Sequence, residues 1–320
     1  MSKSKRQANP QRPDEGKRKF LRDVGMVAVG ALLTRPMDKV CVVVSGLIDT
    51  VATAGERAAL ASIVDVNRGI QLFAGNTNKL AAVAGTPGIS PYLRSAAKSF
   101  GAFAVTALGD AKHFETVSEE DARLALDDKS SDLILLGGPV ANSLGAKFTA
   151  HNFVQVNEGG KEILLPIFNH SNGLRWGFYC GSLAYGSWGD KVRKARRYEN
   201  GEEVERPLYG LWDLTESRKH PQPFFVDGDG FLQEEALLIT RVSNPYSRGG
   251  SITTIGGVHG YSAQAFFSQS DANLKQLLLL THGASAYQVM VPVRLLHDHS
   301  IRHTSGQVDW NGAKSVITAA

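Results

Sequence analysis

The chain has 320 residues, 42 % hydrophobic and 21 % charged, enough to bury a sizeable core in one large domain or two. Its formal net charge is +4, and much of that excess lies in residues 3–22, so the rest is close to neutral and a broad nucleic-acid surface is excluded. Two cysteines this far apart, Cys41 and Cys180, make no metal motif, and Cys41 inside VCVVVS reads as a buried free thiol.

The N-terminus is a polar, basic arm that runs into KRKFLR and then into the apolar stretch Val24–Leu33. That stretch is about ten residues long, too short to span a bilayer and in the range of a signal-peptide apolar region. The pair Lys17–Arg18, then Lys19, Phe20, Leu21 and Arg22, resembles a twin-arginine export leader. Lysine replaces the first arginine of that pattern, and Ala28-Val29-Gly30 is the only small-x-small cleavage sequence nearby. The resemblance implies an exported or envelope-associated protein with the export machinery as a partner. A plain basic arm followed by an amphipathic helix ending at Pro36 is the alternative, and it leaves the protein in the cytoplasm. No other hydrophobic run is long enough to be a transmembrane helix. Residues 1–38 are therefore read as a leader-like segment and 39–320 as one α/β domain.

From Lys39 the pattern changes. KVCVVVSG is a short β-branched run closed by glycine, which predicts a buried strand. GERAALASIVDVNRGI carries Ala59, Ile63, Val64 and Val66 at helical spacing, and FGAFAVTALG predicts a further strand. LFAGNTNKLAA adds only turns. VSEEDARLALDD predicts a helix capped by Ser118, with Glu120 and Asp121 in its first turn. DLILLGG predicts the next strand and PVANSLGAKFTAHN the next helix. Strands that alternate with helices and are apolar on both faces predict a mainly parallel sheet with helices on both faces.

Between about residues 157 and 223 aromatics, glycines and charges mix without long periodic runs, which predicts an antiparallel insertion. Within it RRYENGEEVER reads as a hairpin about the Asn200-Gly201 turn, with Arg197 and Arg196 facing Val204 and Glu205. The acidic EEVE then neutralises part of the basic run KVRKARR. The α/β pattern returns with the strand EEALLITRVSNP, the strand-glycine-helix unit SITTIGGVHGYSAQAFF, and AYQVMVPVRLLHDH as the last strand.

LILLGGPVANS and ITTIGGVHGYS share a strand, a glycine pair and a serine a few residues on. In an open parallel sheet ligands gather beyond the carboxyl ends of the strands, where a helix N-terminus offers unpaired N–H groups. The two turns thus nominate a binding edge for a small molecule or anion made of Gly137, Gly138, Asn142, Ser143, Gly256, Gly257, His259 and Ser262. Ordinary strand-to-helix turns explain the same glycines. No nucleotide loop is present: Pro139 removes a donor, no lysine follows the glycines, and the third glycine of the dinucleotide fingerprint is missing. No cofactor is called for.

Leu133–Phe148, Asn244-Pro245 and Ile252–Gly260 together resemble an α/β domain of archaeal surface-layer proteins. That resemblance implies a non-enzymatic envelope module, in keeping with an export leader. The basic N-terminus and the aromatic insertion have no place in it.

Catalytic alternatives are thin. Ser262 stands between a strand and a helix, where a nucleophile elbow would be, with Asp298 and His303 following in triad order, but Gln264 occupies the position of the second glycine. His297 and His299 share one face of a strand and with His303 form a candidate zinc set. Asp227 and Asp229 lack the remaining ligands of a calcium loop. The leading expectation is a non-catalytic small-ligand-binding or envelope-associated protein. A serine hydrolase centred on Ser262 and a cytoplasmic partner-binding protein are the alternatives.

Overall fold

A computed structural model of the chain describes residues 54–74, 90–109, 114–127, 130–138, 142, 144, 152–158, 161–167, 174–180, 194–213, 222–246, 249–257 and 259–317. The chain divides into two units, Met1–Ala52 and Thr53–Ala320, and all described residues belong to the second. The leader-like segment and the strand expected at KVCVVVSG lie outside them.

The centre is an eight-stranded sheet of mixed direction. Strands β1 (Gly69–Phe73), β2 (Phe114–Thr116), β3 (Ser131–Leu136) and β12 (Ser251–Gly256) run parallel in the order β12-β3-β1-β2. Beside β12 the sheet continues with β11 (Glu234–Ser243) and β13 (Tyr287–Asp298), each antiparallel to its neighbour. The long β13 then pairs with β14 (His303–Val308) through its second half and with β15 (Lys314–Ile317) through its first. β13 is therefore not the last strand. The two that follow are short and partly exposed, and HTSGQV carries a single aliphatic residue, so no apolar run marks it.

Period-two alternation divides the core between the faces. On β3, Ile134 and Leu136 face one side, where helices α1 (Pro91–Leu108), α3 (Gly260–Ser268) and α4 (Ser270–Thr281) pack. Leu133 and Leu135 face the other, against Ala122 and Ala125 of α2 (Glu119–Ala125) and against Leu144. Helices thus cover both faces, as the apolar runs predict. At the antiparallel end the second face is covered by a small sheet instead: Trp176 and Phe178 pack on Ala236, Leu238 and Met290.

Two segments differ from expectation. FGAFAVTALG lies in α1, not in a strand, because its buried residues continue a helical series through Leu93, Ala96, Phe100, Ala104 and Ala107. Pro91 opens that helix, and Gly109 closes it with φ +69°. The helix expected through Ile70 stops early: residues 54–60 are helical, a turn follows, and β1 begins at Gly69. Buried Asp132 at the start of β3 organises that turn, accepting the Asp65 N–H at 2.6 Å, the Ser251 N–H at 2.9 Å and the Ser251 hydroxyl at 2.8 Å. Ser118 caps α2 as read, its hydroxyl accepting the Asp121 N–H at 3.1 Å. Such a cap is worth about 1 kcal/mol.

The region between β3 and β11 is antiparallel throughout its described strands. β4 (Asn152–Glu158) pairs with β5 (Lys161–Ile167). β9 (Tyr209–Asp213) lies between β6 (Trp176–Cys180) and β10 (Gln222–Pro223). β7 (Lys194–Glu199) and β8 (Glu202–Pro207) form the hairpin, with Arg197 opposite Val204 and Arg196 opposite Glu205. Asn200 and Gly201 both take positive φ, +53° and +83°, as the tight primed hairpin turn requires. Arg197 pairs with Glu199, Arg206 with Glu199 and Lys194 with Glu205, so Lys194 and Arg197 of the basic run find acidic partners within the hairpin. Buried Gln288 fastens β6 to the main sheet: its carbonyl accepts the N–H groups of Arg175 and Trp176, both at 2.8 Å, and its amide donates to the Trp176 carbonyl. No helix among the described residues is long and apolar enough to cross a membrane.

Candidate functional site

The two glycine turns meet at one edge of the sheet. A β-carbon at Gly256 would lie 2.3 Å from the Gly137 carbonyl carbon, and one at Gly257 would lie 1.9 Å from the Ser262 hydroxyl oxygen. Glycine at these positions therefore lets β3, β12 and α3 approach one another. Asn142 is buried and donates its amide to the Leu136 carbonyl at 3.0 Å, closing the first turn. Ser143 lies outside the described residues.

Because β11 is antiparallel to β12, it begins at the edge where β12 ends, which brings Glu235 beneath the N-terminus of α3. One carboxylate oxygen accepts the Ser262 N–H at 2.9 Å. The other accepts the His259 N–H at 3.3 Å and the Nδ1–H of the same residue at 2.8 Å. The positive end of the helix is thus met by the protein's own carboxylate, in the place where a bound anion would sit. Glu235 is wholly buried and His259 nearly so.

His259 Nε2 has no hydrogen-bond partner among the described residues. Burial holds this imidazole below its usual pKa. The Arg197 charge pushes the same way, and the Glu235 hydrogen bond opposes both. A second layer surrounds the pair. The Tyr209 ring meets His259 edge-on at 5.3 Å, Tyr92 packs on Tyr261 at 4.2 Å, and the Tyr261 hydroxyl donates to the Tyr198 carbonyl at 2.6 Å. Burial raises the Tyr261 phenol, so it stays protonated and serves as a donor.

Ser262 is fully buried and its hydroxyl donates to the His259 carbonyl at 3.2 Å, with no imidazole in hydrogen-bond contact among the described residues. Asp298 and His303 pair across the β13–β14 turn. Val293 stands opposite Glu235, and Asp298 lies farther along β13 by roughly 16 Å of strand. The Asp298 carboxylate is taken up by Ser300 and Ile301, whose hydrogen bonds lower its pKa. His297 is held between Thr304 and the Leu232 carbonyl, and His299 bonds the Tyr198 hydroxyl at 2.7 Å. Among the described residues no group of three or more His, Cys, Asp or Glu side chains is placed to hold a metal.

Beside Glu235 lies a cavity of about 670 Å³. Leu208 and, on β9, Leu211 form one wall, Phe224, Phe225 and Val226 a second, and Ala236, Met290 and Pro292 the floor, with Lys194, Glu234 and Glu235 as its charged members. None of these residues belongs to the edge read from sequence, although Glu235 bonds His259 of that edge, because the cavity is assembled from segments about a hundred residues apart. The available signal was the apolar pair Leu208 and Leu211 within a polar insertion, followed by Phe224-Phe225 just before a strand.

No protein-family model matches the chain, and no curated protein matches it.

Proposed function

We propose that the protein is a non-catalytic small-ligand-binding protein whose ligand occupies the cavity beside the second glycine turn. The observation that carries this reading is the cavity itself. Its volume falls within the range of roughly 300–1,000 Å³ usual for ligand sites, and its walls are mainly aliphatic and aromatic. The reading places the ligand at the sheet edge predicted from the glycine turns, but on the β9–β11–β13 side of it. The glycine turns support that edge and α3 rather than touching the ligand. The hydrolase reading has weaker support, since the Ser262 hydroxyl is buried and committed to a main-chain carbonyl.

Calorimetric titration with the apolar reporter anilinonaphthalene sulfonate tests the reading. One binding site per chain is expected, abolished by Leu211→Trp, which fills the cavity, with the circular dichroism spectrum retained. Heat of binding that is absent in the wild type, or unchanged in the folded variant, overturns it.

The export reading rests on residues 17–33 and is tested separately. A truncated mass in the envelope fraction, restored to full length when Lys17 and Arg18 are both changed to Gln, is the expected result. A full-length cytoplasmic species contradicts it.

A further inference from the structure

The cavity's polar groups narrow the class of ligand. Glu235 is the buried carboxylate in its lining, and both its oxygens are engaged, by three N–H donors of α3 and His259. Pro292 has no N–H to offer. Three main-chain groups of the lining are taken: the Phe224 N–H bonds the Tyr209 carbonyl, the Phe225 carbonyl accepts the Gln233 N–H, and the Pro292 carbonyl accepts the Asp309 N–H. A site built to select a hydroxyl or amide would hold a partner ready for it, and discrimination would come from leaving that partner unmet. Among the described lining residues, these groups make no such demand.

The remaining charged groups stand at the mouth. Lys194 is 57 % exposed and its pairing with Glu205, itself 53 % exposed, is a surface ion pair. Such an exposed pair is weak, so it neither closes the entrance nor fixes a head group. Glu234, also exposed, belongs to the same lining and brings the opposite charge. Phe225, 60 % exposed, extends the apolar wall outward to solvent. Met290 gives the floor an adaptable side chain and the two phenylalanines add apolar ring surface, suited to a flexible hydrocarbon.

We infer that the ligand is an amphiphile with a single alkyl chain, the chain inside the cavity and the polar head left at the Lys194–Glu234 mouth. This inference rests on the cavity being the binding site. Recognition follows chain length and is nearly indifferent to the head group. Each added methylene buries more apolar surface and tightens binding about fourfold, from roughly 0.8 kcal/mol per buried methylene.

The test is displacement of anilinonaphthalene sulfonate from the full-length protein by octanoate, decanoate and dodecanoate, and by the alkyltrimethylammonium ions of the same chain lengths, all below their micelle concentrations. Both series are expected to displace the reporter, with the midpoint falling about fourfold per methylene and the two head groups agreeing within about threefold. Displacement independent of chain length, displacement by one head group alone, or none by either series overturns the alkyl inference while the cavity reading stands. A wild-type protein that does not bind the reporter at all removes the cavity reading, and the inference with it.

Discussion

The carboxylate of Glu235 accepts the main-chain N–H of Ser262 at 2.9 Å, so a residue at the start of one strand holds the first turn of the helix that follows the next. The same carboxylate orients the His259 imidazole. This junction holds α3 over the sheet and places Glu235 in the cavity lining. Removing it exposes the cost of its parts. Glu235→Ala leaves two main-chain donors and one imidazole donor buried without partners and is expected to cost about 3 kcal/mol, read from the denaturation midpoint. A loss below about 0.5 kcal/mol would show that the helix start is held by other means.

The His259 imidazole carries a pH dependence whose sign follows from burial. Its folded pKa lies below the ordinary 6.5, so the unfolded chain binds the proton more readily. The stability it contributes is complete above about pH 6.5 and is lost as pH falls from there through the folded value. His297, also lowered by burial, acts in the same direction. Unfolding free energy measured from about pH 7 down to about pH 5 is expected to fall, with a shallower slope in His259→Asn. An equal slope in both proteins would assign the dependence to other groups.

Glycine requirements differ sharply along the chain. At Gly256 an added β-carbon meets backbone of Gly137 at 2.3 Å, which no rotamer change relieves, whereas at Gly228 it meets nothing within 4 Å. Gly256→Ala is expected to cost about 3 kcal/mol or to prevent folding, and Gly228→Ala to stay within about 0.5 kcal/mol of wild type. Melting temperatures of the two variants side by side decide the point; a tolerated Gly256→Ala would contradict the close contact of the two turns.

Gln288 joins stability to binding. Its side chain is the anchor of β6, and β6 carries β9, which supplies one cavity wall. Gln288→Leu strands the Arg175 and Trp176 N–H groups and is expected to cost about 2 kcal/mol in stability. It is also expected to weaken reporter binding at least about fivefold, because a 1 kcal/mol change in seating the wall is that large in affinity. Unaltered affinity in the folded variant would mean that the wall does not depend on this anchor.

Legibility in the sequence followed how local the information was. The β7–β8 hairpin was readable to the register, since the Asn200-Gly201 turn fixes which residues face each other. The Ser118 cap and the strands β3, β11, β12 and β13 were readable because each is a contiguous apolar or capping signal. α1 was not: FGAFAVTALG viewed alone is an apolar run containing Val105 and Thr106, and its helical period emerges only when Leu93 and Ala96 are included. Strand direction was not readable either, because a buried run looks alike in both senses, and β11 turns out antiparallel to β12. At the site, His259 and Ser262 stand out in the sequence, but Glu235 does not. It lies 24 residues from His259, and the pairing exists only once antiparallel β11 starts where β12 stops. The cavity is less local still.

The most direct test of the cavity uses the methionines. The chain has four, Met1, Met26, Met37 and Met290, and of these Met290 lies in the cavity lining. In a methyl spectrum of the methionine-labelled full-length protein, saturating anilinonaphthalene sulfonate is predicted to shift the Met290 resonance, assigned with Met290→Leu, and to leave the other three in place. A reporter that binds without moving Met290, or that moves only resonances from the first 37 residues, would contradict the account.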